Sequence, residues 1–256
     1  MTDATKEVAA PTLVPPPAVV LVEPQLGENI GTAARAMANF GVTDLRLVAP
    51  RDGWPNEKAR AASSGAAHVI DNARVFATLE EAIADLTFVI ATTRRPRDMT
   101  KRVEGPEAGL AELVAETRTG PTGILFGRER WGLQNEEVAL ASIIVSFPVD
   151  PEFASLNIAQ SVLLMAYEWR RVARELPAAP PPDQPPATRQ EVTGLWRHLV
   201  SLLKPTGYFR PEGMAERMER NLFTTLSDAG WDRQQVRTLR GVLNHLDPQR
   251  PPRSGD

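Results

Sequence analysis

AVVLVEPQLGENIGTAARAMANFGVTDLRLVA, residues 18–49, contains the pattern that decides the fold. Residues 18–23 (AVVLVE) are a short β-branched run and read as a strand. A helix follows over about 30–40 and stops at Gly41, a residue suited to a C-cap. Residues 44–49 are a second strand. The alternation then continues, with a helix near 56–64 and a short strand at 68–70. Thr78 and Glu81 form a capping box for a helix that reaches Leu86, and 87–92 (TFVIAT) is a strand. Pro106 suits the first turn of a helix running to about Thr117. A strand at 123–126 leads to a short helix capped by Asn135, with Glu136 and Glu137 in its first turn. A last strand at 143–147 precedes a long helix over 156–175. Strands alternating with helices predict an α/β fold, a parallel sheet with helices on both faces. Ligands on such sheets sit beyond the carboxyl ends of the strands.

Outside this unit (residues 18–175) the composition changes. Residues 1–17 and 247–256 read as disordered tails. Six prolines within 176–188 make a semi-extended linker. Residues 189–246 read as a small α-helical extension carrying nine Lys/Arg against six Asp/Glu.

Several function classes are excluded early. No run approaches the roughly 18 consecutive apolar residues of a membrane span. The N-terminus lacks a signal-peptide pattern, which predicts a cytoplasmic protein. There is no cysteine, so disulfides and thiolate catalysis are absent. His68, His198 and His245 are too far apart in sequence for a local metal site. A net charge of −3 argues against a nucleic-acid partner at first sight. Basic clusters at Arg94-Arg95, Arg97, Lys101-Arg102, Arg128, Arg130 and Arg170-Arg171 qualify that, although such runs are as often solvated faces as phosphate sites.

Chemistry must therefore come from a cofactor with polar and arginine side chains, and three motifs offer it. In Asn29–Arg35 (NIGTAAR) a glycine permits close backbone approach near a helix N-terminus. Asn29 and Arg35 can face the same end of the sheet, or be a cap and a surface residue. The motif is not the dinucleotide GxGxxG. In residues 125–133 (LFGRERWGL), Gly127 and Gly132 have the spacing of a P-loop start, but Leu133-Gln134 replaces its Lys-Ser/Thr. Glu129 lies between two arginines and is either functional or a brace for the loop. In residues 151–160 (PEFASLNIAQ), Ser155 reads as an N-cap. Asn157, a poor helix former in the first turn, calls for a partner.

In this order at these strand ends, the three motifs resemble motifs 1, 2 and 3 of the TrmH family of SPOUT RNA methyltransferases, over residues 18–174. Residues 91–97 (ATTRRPR) resemble the cofactor loop of its TrmJ subgroup. Leu195-Trp196-Arg197-His198-Leu199, Thr206-Gly207-Tyr208-Phe209, Arg220-Asn221-Leu222-Phe223 and Leu239-Arg240-Gly241 resemble that subgroup's helical extension. The resemblance implies a trefoil knot at the C-terminal end of the sheet, S-adenosyl-L-methionine as cofactor, no metal, and a homodimer whose active sites are completed across the interface. It implies 2′-O-methylation of cytidine or uridine at nucleotide 32 of a tRNA anticodon loop. Carried onto this sequence, the catalytic group is Arg35, supported by Asn29, Glu129, Ser155 and Asn157. The cofactor residues are Thr92, Thr93, Arg94, then Gly127, Phe147, Ala154, Ser155 and Leu156. Arg94 departs from the pattern, because that slot is commonly small in the subgroup. The same chemistry on another RNA, and a non-catalytic RNA-binding module, are the alternatives.

Overall fold

The computed structural model describes residues 14–93, 101–175 and 184–247. The expectations for the tails at 1–13 and 248–256, the linker at 176–183, and Arg94, Arg95 and Arg97 lie outside the described residues. In chain order the elements are β1 (Ala18–Val22), α1 (Gly27–Asn39), β2 (Leu45–Val48), α2 (Glu57–Ala62), α3 (Ala67–Asp71), β3 (Arg74–Phe76) and α4 (Leu79–Ala82). There follow β4 (Phe88–Thr92), β5 (Val103–Glu104), α5 (Pro106–Glu116), β6 (Thr122–Phe126), α6 (Asn135–Ala139), β7 (Ile143–Val145) and α7 (Ile158–Glu175). Three further α-helices follow, α8 (Arg189–Leu203), α9 (Ala215–Ser227) and α10 (Arg233–Leu246), and short 3-10 turns lie at Pro151–Phe153, Lys204–Thr206 and Glu212–Met214.

The strands form one seven-stranded sheet in the order β3-β2-β1-β6-β4-β7-β5, with every pairing parallel. Successive side chains point to opposite faces, and each face has its own core. Leu21, Leu47, Ile90 and Ile124 pack with residues of α1, α5 and α7. Val20, Val89, Ala91 and Leu125 pack with residues of α4 and α6. Both faces are covered, which is why the strands read as continuous apolar runs.

Local signals explain many element ends. Gly41 adopts φ +77°, a left-handed conformation that a side chain would strain, and it stops α1. Thr78 and Glu81 make the reciprocal capping box of α4, and Pro106 opens α5. Other boundaries are corrected. Residues 68–70 belong to helix α3, where Val69 and Ile70 are buried, and the strand is displaced to Arg74–Phe76. Three apolar residues carry no period that separates helix from strand. Helix α1 begins at Gly27, so Asn29 lies in its first turn and is not its cap. Gln134, not Asn135, occupies the cap position of α6, and its N–H donates to the Glu137 carboxylate at 2.7 Å. Helix α7 begins at Ile158 and is capped by Asn157 rather than Ser155, because the Asn157 Oδ1 accepts the Ala159 N–H at 2.8 Å.

Helices α8–α10 enclose a small core of Ala187, Val192, Leu195 and Val236. They attach where the strands begin. The Arg189 N–H donates to the Leu86 carbonyl at 2.8 Å, and Lys101 pairs with Asp228 at 2.8 Å. From the middle of α9, Arg220 reaches Glu136 of α6 at 3.0 Å.

Candidate active site

The ends of β4, β6 and β7 open into a cleft of about 440 Å³. Thr92 and Thr93 close β4, Gly127 follows β6, and Phe147 follows β7; all four line this cleft. Ala154, Ser155 and Leu156, just before α7, form another wall. Seven of the eight cofactor residues expected from sequence thus share one space, and Arg94 lies outside the described residues.

The loop after β6 is held tightly. Arg128 and Gly132 exchange both backbone hydrogen bonds, at 3.2 and 2.8 Å. A Cβ on Gly127 would come within 2.1 Å of the Gly132 carbonyl carbon, so this position needs glycine. The buried Arg128 side chain forks onto two carboxylates, donating to Glu23 at 2.8 Å and to Glu137 at 2.9 and 3.0 Å. Those hydrogen bonds raise the Arg128 pKa above its ordinary value, and the bond from Arg128 in turn lowers that of Glu23. Arg128 is committed to bracing the loop and is unavailable to RNA.

Glu129 pairs with neither neighbouring arginine. It accepts the Gln25 N–H at 3.0 and 3.2 Å and the Asn29 Nδ2 at 3.0 Å. The Asn29 Oδ1 accepts from the Asn157 Nδ2 at 3.1 Å, and Asn157 caps α7. One hydrogen-bonded chain therefore runs through all three motifs. Half-buried Glu129 and Asn29 connect distant parts of the sequence, and the partner that Asn157 called for is Asn29.

Arg35 is not brought to this chain. It is exposed and, among the described residues, has no hydrogen bond or ion pair and does not line the cleft. Six residues along α1 separate it from Asn29 by about 9 Å axially and about 120° around the helix, so within one chain the two do not share a face. The basic clusters also divide. Lys101 is buried against Asp228, Arg102 pairs with Glu112, and Arg171 pairs with Glu168 and Glu107. By contrast, Arg130, Arg197, Arg210, Arg217, Arg237 and Arg240 are exposed without an ion pair among the described residues. Among the described residues no cluster of three His, Cys, Asp or Glu is arranged to hold a metal ion. Sequence reasoning missed Glu23, Gln25 and Glu137, whose contacts are long-range or through the backbone, and Trp131 at the rim. The spacing Gln134–Glu137, a capping-box pattern, was the one local signal that placed Glu137.

The SpoU rRNA Methylase family matches residues 16–167. The tRNA (cytidine/uridine-2′-O-)-methyltransferase TrmJ of Yersinia enterocolitica is 36% identical over 238 residues, 90% of this chain and 91% of that protein. Among solved structures, TrmJ from Z. mobilis ZM4 superimposes with a TM-score of 0.81 at 50% identity, covering 90% of this chain and 98% of that one. A probable methylase family protein from Haemophilus influenzae Rd KW20 gives 0.59 at 30% identity, covering 90% and 94%. With its motifs joined around one cleft and its match carried through α8–α10, the chain belongs to the SpoU rRNA methylase family of the SPOUT superfamily, in its TrmJ subgroup.

Proposed function

We propose that this chain transfers the methyl group of S-adenosyl-L-methionine to the ribose 2′-hydroxyl of nucleotide 32, cytidine or uridine, in the anticodon loop of tRNA. The observation that carries this reading is the Glu129–Asn29–Asn157 chain, which ties three separate motifs to one cleft. The names of the TrmJ relatives support the substrate and the reaction, and the family resemblance supports the position.

The cleft suits the cofactor. Its volume falls in the range of about 300–1,000 Å³ usual for small-molecule sites. Phe126, Val149 and Ile158 supply apolar walls. The backbone N–H groups of Ser155 and Leu156 make no hydrogen bond among the described residues, which leaves donors on the rim. When bound, S-adenosyl-L-methionine supplies a methyl already activated by its sulfonium charge. The work of the protein is then alignment and management of one proton. Arg35 positions the ribose hydroxyl and stabilises its developing negative charge. A guanidinium has no lone pair with which to accept a proton, so the proton leaves toward an RNA phosphate, directly or through the Ser155 hydroxyl, which takes up one proton as it gives up its own.

This role for Arg35 requires a homodimer, because within its own chain it stands outside the cleft. Exposed Leu163, Leu164 and Tyr167 on α7, the helix packed beside α1, give a second copy an apolar surface to cover. The trefoil knot belongs to the same reading, supported by segments 92–93, 126–133 and 146–161 meeting at one cleft. We assign residues 18–175 to catalysis, 176–188 to a linker, and 189–246 to tRNA binding. The unpaired arginines of α8–α10 and the contact of α9 with α6, which follows the cleft loop, support that division. A tRNA substrate implies a cytoplasmic enzyme, and among the described residues no helix is long and apolar enough to cross a membrane.

The test is methyl transfer from labelled S-adenosyl-L-methionine to unmodified tRNA, with the product located by mass spectrometry. A 2′-O-methyl group at nucleotide 32 is the expected result. Methylation elsewhere replaces the position and keeps the chemistry. Cofactor binding without transfer to any RNA would overturn the enzymatic reading.

A further inference from the structure

Trp131 is 77% exposed, although it belongs to a tightly held loop of the site. Exposing so large an apolar ring forgoes the free energy of burying it, so its place on a functional rim needs a reason. The loop supplies one. Paired backbone bonds between Arg128 and Gly132, together with the Arg128 fork onto Glu23 and Glu137, fix the base of the hairpin. Of its three tip residues, Glu129 turns toward Asn29, while Arg130 and Trp131 are exposed. Trp131 lines the cleft, and the Arg130 guanidinium lies over its ring at 5.8 Å from the centroid. Arg130 has no carboxylate partner among the described residues, so its charge is available.

We propose that Trp131 is a stacking platform for a nucleobase of the single-stranded RNA at the cleft mouth, with Arg130 holding the adjoining phosphate. The inference rests on the proposed RNA substrate and adds the residue that receives a base. Single-stranded RNA is recognised by stacking unpaired bases on aromatic side chains, backed by arginine. A rigid loop presents the ring already positioned, so little ordering is needed on binding. Stacking reads the face of a base and not its hydrogen-bonding edge. A platform of this kind accepts cytidine and uridine alike, consistent with a substrate class that includes both.

The experiment compares full-length wild type with Trp131→Ala, Trp131→Phe and Arg130→Ala. It measures tRNA Kd over a range of salt, KM and kcat for tRNA, affinity for S-adenosyl-L-methionine, and mass in solution. Trp131→Ala raises Kd and KM for tRNA by roughly 5- to 100-fold. It leaves cofactor affinity, solution mass and the salt dependence unchanged, because no charge is lost. Trp131→Phe keeps an aromatic face and recovers most of the affinity. Arg130→Ala reduces the slope of log K against log salt by about one phosphate contact. Unchanged Kd and KM in Trp131→Ala would overturn the proposal. So would a loss that tracks with weaker cofactor binding or with dissociation of a dimer, which would make Trp131 a cofactor or subunit contact. Wild type that binds tRNA through Trp131 yet transfers no methyl would overturn the reaction and keep the platform. Wild type and Trp131→Ala that methylate equally well would do the reverse.

Discussion

Where the strands begin, Lys101 has no exposed side-chain surface and pairs with Asp228, while Arg189 is almost wholly buried and bonds to Ser142 and the Ser227 carbonyl. Burial lowers the Lys101 pKa against the opposing pull of Asp228, and pushes Arg189 down to about 10. Where the strands finish, Arg130 is exposed, as is Arg35 farther along α1, and neither has an ion pair among the described residues. The same residue types fasten α8–α10 at one end and remain available at the other. The Asp228 carboxylate matches Lys101, because an unmatched buried cation costs several kcal/mol, whereas Arg189 bonds only to neutral oxygens and its Nε has no partner among the described residues. A solvated cation is under no such constraint and is free for a ligand. Arg128 shows that position at the cleft end does not decide the matter, since its two carboxylates make it a brace.

This contrast can be tested by substitution. Arg35→Ala should lower turnover by about 10²–10³-fold, the scale of losing one preorganised donor to a developing negative charge. Cofactor affinity and the urea midpoint should stay at wild-type values; a lower midpoint would move Arg35 into the structural class. Asp228→Asn should do the opposite, costing about 2–4 kcal/mol by leaving the buried Lys101 ammonium without its carboxylate. Asp228 is partly exposed, so the lower half of that range is expected, read from urea unfolding with the extrapolated stability as the measure. Glu129→Gln should reduce turnover about 10-fold, as the amide replaces an ionised acceptor of charge-assisted hydrogen bonds. Steady-state kinetics that show no change would mean the carboxylate charge is not used.

The smallest expected effect depends on pH. Burial raises the Glu116 pKa above 4.5 in the folded protein. The folded state therefore holds this proton to higher pH than the unfolded chain, and stability is lost as pH rises through the folded value. Glu116→Gln removes that loss. It should stabilise by less than about 1 kcal/mol at pH 7, and the gain should vanish below about pH 4.5, where both states are protonated. A gain of the same size at pH 4 and pH 7 would mean that charge is not its cause.

The sequence patterns legible in advance were those confined to a few neighbouring residues. The β-branched run of β1, Gly41 after α1, the Thr78–Glu81 box and Pro106 each state their structure locally. Residues 68–70 do not, because a strand and one helical turn bury Val69 and Ile70 equally well. The two-residue strand β5 owes its existence to pairing with β7 and has no pattern of its own. The cleft was legible through motif spacing, yet the partners inside it were not. Nothing near Arg128 in sequence announces Glu23, 105 positions away. The six-residue spacing of Asn29 and Arg35 on a helix was itself enough to show that α1 turns them about 120° apart. Asn157 was singled out for its poor fit to a helix, and its two bonds supply the reason.

The chain of bonds through Asn157 has a direction. The first turn of α7 donates to the Asn157 Oδ1, the Asn157 Nδ2 donates to Asn29, and the Asn29 Nδ2 donates to Glu129. Every donor points from the positive end of a helix toward a carboxylate, and only one orientation of each amide allows this. An aspartate at 157 would still cap α7 but would have no hydrogen to give Asn29, and a serine would be too short to do both. Neither amide titrates, so the chain cannot conduct a proton. It transmits orientation alone, fixing α1 against α7, and the proton released in methylation has to leave by another route.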